Sequence, residues 1–180
     1  MRIVGGKYRA KKLFAPENEL IRPTSDRARE AVFNILYSAV GGVDGKKVLD
    51  VFAGTGALGF EALSRGAQKV CFIDKDVAVL VKNATMFSSE KQKIDVLRAD
   101  VQNLPFAKDT FDIVFSDEPY DKGLNEIALK NLEQKGFLKN GTICIVETRK
   151  NEDMILPVEY ALFDERVYGM AKIRFYTFCK

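Results

Sequence analysis

The chain of 180 residues contains no histidine. That absence excludes Ser-His-Asp and Cys-His nucleophilic schemes, His-based general-base catalysis and most zinc sites, so no metal is expected. Its three cysteines, Cys71, Cys144 and Cys179, are far apart and form no C-x-x-C pair. Cys71 and Cys144 lie in apolar strand-like runs, where a thiol acts as a small core residue. No run reaches the roughly eighteen apolar residues of a membrane span, and the start "MRIVGGKYRAKK" lacks the apolar core of a signal peptide. The expected compartment is therefore the cytoplasm. Any chemistry must rest on carboxylates, backbone groups, aromatics or a cofactor with its own reactivity.

What is present describes a globular domain, with 47% hydrophobic and 29% charged residues and enough length to bury a core without staples. The net charge of +3 is unevenly placed. Residues 1–29 hold eight basic side chains (Arg2, Lys7, Arg9, Lys11, Lys12, Arg22, Arg27, Arg29) against Glu17, Glu19 and Asp26, an excess of +5 that leaves −2 for the remaining 151 residues. A basic front end on a nearly neutral body fits a polyanionic partner at one face, or simply a solvated charged edge.

Residues 1–14, with Gly5-Gly6, read as a short two-stranded element or arm. "RPTSDRAREAVFNILYSAV" reads as a helix capped by Thr24, Ser25 or Asp26, with Ala28, Ala31, Val32, Ile35, Leu36 and Ala39 on one face. "GGVDGKK" marks a boundary, giving a basic extension over 1–41 and a main domain over 42–180. Beyond it the runs "KVLDVFA", "KVCFID", "KIDVLRAD", "FDIVFSD" and "TICIVET" alternate with helical stretches at 57–65, 76–87 and 124–135. That order predicts an α/β fold, a mostly parallel sheet with helices on both faces. "ALFDERVYG" and "KIRFYTFCK" then form a hairpin, giving an antiparallel edge.

"DVFAGTGALG" follows the first strand, and Gly54, Gly56 and Gly59 satisfy G-x-G-x-x-G. Such a loop lets the backbone approach a ligand at a helix N-terminus. Asp74, at the tip of the second strand, is placed to accept ribose hydroxyls. The ligand is a dinucleotide or S-adenosylmethionine. Asp50 favours the second, because an acid there repels a pyrophosphate and attracts an α-ammonium. Phe52, in the same loop, joins the candidate cofactor contacts. Asp100 reads either as an acceptor for an adenine amine beside the Val101 amide or as the cap of a turn.

"FSDEPYDKG" ends the fourth strand. Asp117 offers an acceptor for a planar amine, the Glu118 carbonyl a second, Pro119 stiffness and Tyr120 a stacking face. A base taken out of its stack would be held in this way. Alternatively the tetrapeptide is a plain turn and Tyr120 packs in the core.

"RIVGGKYRAKKL", "RPTSDRAREAVFN", "LDVFAGTGALGFEALSRGA" and "DEPY" together resemble, over nearly the whole chain, the small-subunit rRNA guanine-N2 methyltransferases of the RsmD type. The resemblance implies a Rossmann-like seven-stranded sheet, S-adenosylmethionine as donor and a guanine exocyclic amine in 16S rRNA as acceptor, met as naked RNA or in a small ribosomal subunit assembly intermediate. It implies cofactor binding through Asp50, Gly54, Gly56, Asp74 and Asp100 and target-amine binding through Asp117 and Tyr120; a monomer is expected. The basic residues Arg2, Lys7, Arg9, Lys11, Arg22, Arg27 and Arg29 would contact RNA phosphates. The family pattern is Asp-Pro-Pro-Phe/Tyr, and Glu118 stands where it has the first proline. Its carboxylate is expected to face solvent or an arginine, since an inward turn would place it near the amine. The alternatives are an amine methyltransferase acting on another RNA or DNA base, a non-catalytic RNA-binding relic, or, more distantly, a nicotinamide oxidoreductase.

Overall fold

The computed structural model describes residues 1–15, 26–118 and 123–180. The order is α1 (Asp26–Val40), β1 (Lys47–Val51), α2 (Ala57–Ser64), β2 (Lys69–Asp74), α3 (Ala78–Ala84), β3 (Ile94–Arg98), β4 (Phe111–Asp117), α4 (Leu124–Gln134), β5 (Leu138–Arg149), β6 (Tyr160–Tyr168) and β7 (Ala171–Phe178). The seven strands form one sheet in the order β3-β2-β1-β4-β5-β7-β6. All neighbours are parallel up to β5, and the β5–β7 and β6–β7 pairs are antiparallel. The α/β expectation and its antiparallel C-terminal hairpin are met.

Period two explains the layering. Val48, Val70, Phe72, Ile113, Phe115, Ile145 and Phe175 face one cluster with Val32, Phe33 and Leu36 of α1, Phe60 of α2 and Leu80 of α3. The alternate residues Leu49, Val51, Cys71, Ile73, Val114, Cys144 and Val146 face another with Ala128, Leu129 and Leu132 of α4. A strand buried on both faces reads as a continuous apolar run, which is how β1 and β2 appear in sequence. The Phe33 ring lies 5.5 Å from that of Phe115 and fixes α1 on the sheet. Truncating it to alanine would cost about 3–5 kcal/mol through lost burial and the cavity left behind.

The N-terminal arm is docked on this core. Ile3 and Leu13 are buried in the first cluster, and Arg2 and Lys12 form an antiparallel bridge. The arm lies on the end of α2: Lys7 N donates to Ser64 O at 2.7 Å and Tyr8 N to Ser64 Oγ at 2.8 Å. Gly6 permits this approach, since a Cβ there would meet Ser64 O at 2.0 Å. Glu61, wholly buried in α2, accepts from Val4 N at 2.6 Å, Gly5 N at 2.8 Å and Arg65 Nε at 2.7 Å. No helix among the described residues is long and apolar enough to cross a membrane.

Two predicted bounds differ. The run expected at 142–148 extends over Leu138–Arg149 because Leu138 also pairs with Phe111 across a register shift. The third helix gives way after Ala84 to 3-10 turns over Thr85–Lys93, with a break at Phe87 (φ −113°, ψ 40°). There the Phe87 side chain turns inward to stack on Phe60, ring centroids 4.6 Å apart.

Candidate active site at the carboxyl edge of the sheet

In an open parallel sheet the ligand site lies beyond the carboxyl ends of the strands, where successive connections leave in opposite directions. Here that switch falls between β1 and β4. The glycine loop leaves β1, and Asp117 ends β4 one strand away; Asp74 ends β2 on the other side. With neighbouring strands about 4.8 Å apart, Asp74 and Asp117 flank the loop at a lateral span of roughly 10 Å.

Asp74 is joined to the loop directly. Its Oδ2 accepts from Gly54 N at 2.7 Å and its Oδ1 from Asp76 N at 3.0 Å. Phe52 takes a left-handed conformation (φ 58°), unusual for a residue with a side chain and of a kind that clusters at functional sites. Gly56 (φ 80°) opens α2 without a side-chain cap, and a Cβ on it would lie 2.6 Å from both Leu80 and Phe60. The loop is therefore pressed against the core.

Asp50 is buried, and its Oδ2 accepts from Gly59 N at 2.8 Å. Burial pushes its carboxyl up to about 8, the Gly59 N–H opposes this, and the Asp74 charge adds to it. A positive group brought beside it would reverse that shift. Asp100 adopts the capping arrangement, accepting from Gln102 N at 2.9 Å, and pairs with Lys75 Nζ at 2.9 Å. Its carboxyl is lowered by the Gln102 N–H first and Lys75 second. Val101 is buried, and its carbonyl accepts from Asn131 Nδ2 at 2.8 Å.

Asp117 is half-buried and lines a narrow recess with Val32 of α1, Leu58 of α2, Ser116 and Glu147. Glu118 departs from expectation: it is turned away from solvent, and it meets no arginine among the described residues. It is 2% exposed, and its Oε2 accepts from Leu124 N at the start of α4. The cause is the helix end, where orphan N–H groups attract an anion. Burial raises its carboxyl while the Leu124 N–H pulls it down. Pro119 and Tyr120 lie outside the described residues.

A family model described as conserved hypothetical protein 95 matches residues 1–177. The ribosomal RNA small subunit methyltransferase D of Haemophilus influenzae is 36% identical, the match covering 98% of this chain and 93% of that protein. The Escherichia coli protein of the same name is also 36% identical over 98% of this chain and 89% of its own. This chain belongs to the ribosomal RNA small subunit methyltransferase D family. A solved Escherichia coli structure, presented as a candidate methyltransferase, superposes with a TM-score of 0.85 at 35% identity, covering 99% of this chain and 98% of that one. The fold is that of Rossmann-like methyltransferases.

In this methyltransferase the basic residues that the sequence offered for phosphate contact fall into four sets among the described residues. Arg9 and Arg27 are exposed. Arg2 and Lys7 are exposed but paired, Arg2 Nε with Asp26 at 2.8 Å and Lys7 Nζ with Glu90 at 2.7 Å. Lys11 Nζ donates to Met86 O at 2.8 Å and lies over the Tyr8 and Phe87 rings. Arg29 corrects the expectation of a phosphate contact. It is 1% exposed, its Nη2 donates to Arg2 O at 2.7 Å and to Asp26 Oδ1 at 2.9 Å, and its Nε lies 3.8 Å from the buried Glu61. It holds the arm to α1 and α2, because a buried Glu61 needs cations around it. Arg22 lies outside the described residues.

Asn83 was not a sequence candidate. Buried in α3, it accepts from Phe14 N at 2.8 Å and donates to Phe14 O at 3.0 Å and to Thr55 O at 2.9 Å. It therefore clamps the arm to the glycine loop. Its only sequence signal is a polar residue at helical spacing from Leu80 and Phe87.

Proposed function

We propose that this family member transfers a methyl group from S-adenosylmethionine to the exocyclic N2 amine of a guanine in small-subunit rRNA. The observation that carries this reading is the placement of Asp117 on the far side of the glycine loop from Asp74, across the switch point of the sheet. The relatives named as small-subunit rRNA methyltransferases supply the substrate class.

The residues present suit such a donor. Asp74 is placed for ribose hydroxyls, the uncapped start of α2 and the Gly54–Gly56 backbone for close approach, and buried Asp50 for a cationic amino group. Asp100 and the Val101 amide would take the adenine end once Asp100 is released from Lys75. Bound there, the donor supplies an already activated methyl group. Asp117 accepts a hydrogen bond from the target amine and stabilises the positive charge that develops on it, with the Glu118 carbonyl as second acceptor. Pro119 and Tyr120 stiffen the segment and stack the base. Arg2, Lys7, Arg9 and Arg27 contact phosphates, making residues 1–41 an RNA-binding extension of the 42–180 catalytic domain.

The test is transfer of labelled methyl to purified small-subunit RNA and to small ribosomal particles, with the product nucleoside identified after nuclease digestion. N2-methylguanosine is the expected product. Label on another nucleoside overturns the guanine assignment. No label despite donor binding overturns the activity, and any turnover disposes of a non-catalytic role.

A further inference from the structure

Glu118 is a charged residue with a buried side chain at the point where the candidate amine-binding segment begins. Two observations explain its position. The residue before α4 is Gly123 (φ 60°), which has no side chain to offer the helix. Asn125, the nearest polar residue of the first turn, is engaged elsewhere: its Oδ1 accepts from Ser116 Oγ at 2.7 Å and its Nδ2 donates to Glu147 O at 3.0 Å. The Leu124 amide is thus served by Glu118 Oε2, reaching from six residues upstream.

These contacts form two links. Ser116–Asn125–Glu147 ties the first turn of α4 to the ends of β4 and β5, and Glu118–Leu124 ties it to the residue that follows Asp117. Asp117 itself is fixed by its register opposite Glu147. The end of β4 and the start of α4 are therefore joined directly, through Ser116–Asn125 and Glu118–Leu124. The Glu118 carbonyl, the second acceptor in the reading above, belongs to the same residue as the tether, so holding the side chain also limits the directions its backbone can take.

We propose that Glu118 is a positioning residue: by tethering the end of β4 to the first turn of α4, its side chain aligns the two amine acceptors, Asp117 and the Glu118 carbonyl. This proposal rests on the function proposed above. The tether supplies by hydrogen bonding the restraint that a proline would supply through its ring.

The experiment compares Glu118→Ala and Glu118→Gln with wild type in two readouts. The first is hydrogen exchange at the Leu124 amide, which needs no substrate. Exchange is expected to be slow in wild type, at least about tenfold faster in the Ala variant, and near wild type in the Gln variant, which keeps an acceptor oxygen. The second is methyl transfer. The Ala variant is expected to lose at least about tenfold in kcat with donor Kd and RNA KM within about twofold of wild type, and the Gln variant to stay within about threefold. A residue that only stabilises the fold would lower Tm and leave kcat per folded molecule unchanged. Wild-type kcat in the Ala variant overturns the proposal, as does a Gln variant as slow as Ala, which would assign the effect to charge. If Ala fails to fold, Glu118→Asp, whose shorter side chain withdraws the acceptor from the Leu124 amide, takes its place with the same expectations in both readouts. Unchanged Leu124 exchange overturns the tether whatever the RNA result, whereas an intact tether in a wild type that methylates no RNA overturns the parent function instead.

Discussion

The two edges of the sheet are both rich in aspartate, and they use it in opposite ways. At the amino edge the acids are matched with cations. Asp109 pairs with Lys47 at 2.6 Å and Lys69 at 2.9 Å, Lys69 also holds Asp95 at 2.7 Å, and Lys139 holds Asp112 at 2.6 Å. These lysines hold the Asp109 carboxyl down at about 2. At the carboxyl edge, Asp50 and Asp74 bind only backbone amides among the described residues, and Asp50 is pushed up to about 8. An edge whose charges are already neutralised is scaffold. Asp50 and Asp74, which meet no cation among the described residues, leave somewhere for a cationic ligand to settle.

The largest test of this contrast is Asp117→Ala at the carboxyl edge. It should reduce methyl transfer by roughly 10²–10³-fold with donor affinity unchanged in calorimetry, in line with loss of one transition-state partner. Asp74→Ala should act on binding instead, weakening donor affinity roughly tenfold to a hundredfold as a charge-assisted contact is lost. A tightly binding Asp74 variant would remove that residue from the donor site.

Asp50 gives a smaller but more specific signal. With a carboxyl near 8, it holds a proton at pH 7 in the free protein, and a cation bound beside it would lower that value. Donor binding should therefore release close to one proton at pH 7 and roughly half a proton at pH 8, read as binding enthalpy that varies with buffer ionisation heat. Asp50→Asn should abolish that dependence, and buffer-independent binding in wild type would show that no cation reaches Asp50. The sign for stability is opposite to the usual carboxylate: without donor, Asp50 makes the fold weaker as pH rises from about 4 towards about 8.

The smallest effect belongs to the amino edge. Asp109→Ala should leave methyl transfer unchanged and cost less than about 1 kcal/mol at pH 7, because the pair is partly solvated. A depressed carboxyl stabilises above its unfolded value, so the Tm difference from wild type should shrink as pH falls from about 4 towards about 2. A large loss of activity in this variant would break the division of labour between the edges.

The glycine loop, the strands and the hairpin could be read from sequence because each depends on local pattern: period-two burial, a turn that needs glycine, and an acid at a strand tip. Glu118 could not, because its direction depends on Gly123 leaving a helix uncapped and on Asn125 being occupied by Ser116 and Glu147. Arg29 failed for a similar reason. Its position among other arginines marked it as a surface charge, yet a buried Glu61 more than thirty residues later draws it inward. Asn83 carries no local signature at all, since its partners, Phe14 and Thr55, meet only in the folded chain. Repeating patterns and motifs were legible; side-chain pairings were not, whether six residues apart as for Glu118 and Leu124 or more than thirty as for Arg29 and Glu61.

The arm also sets an order of events during synthesis. Residues 1–15 leave the ribosome before the groups that hold them, Glu61, Ser64, Asn83 and Glu90, which follow 56 to 83 residues later. At a synthesis rate of roughly 5–20 residues per second, the arm waits several seconds for its seat. The arm thus cannot settle until the chain through Glu90, which includes the glycine loop, has been made.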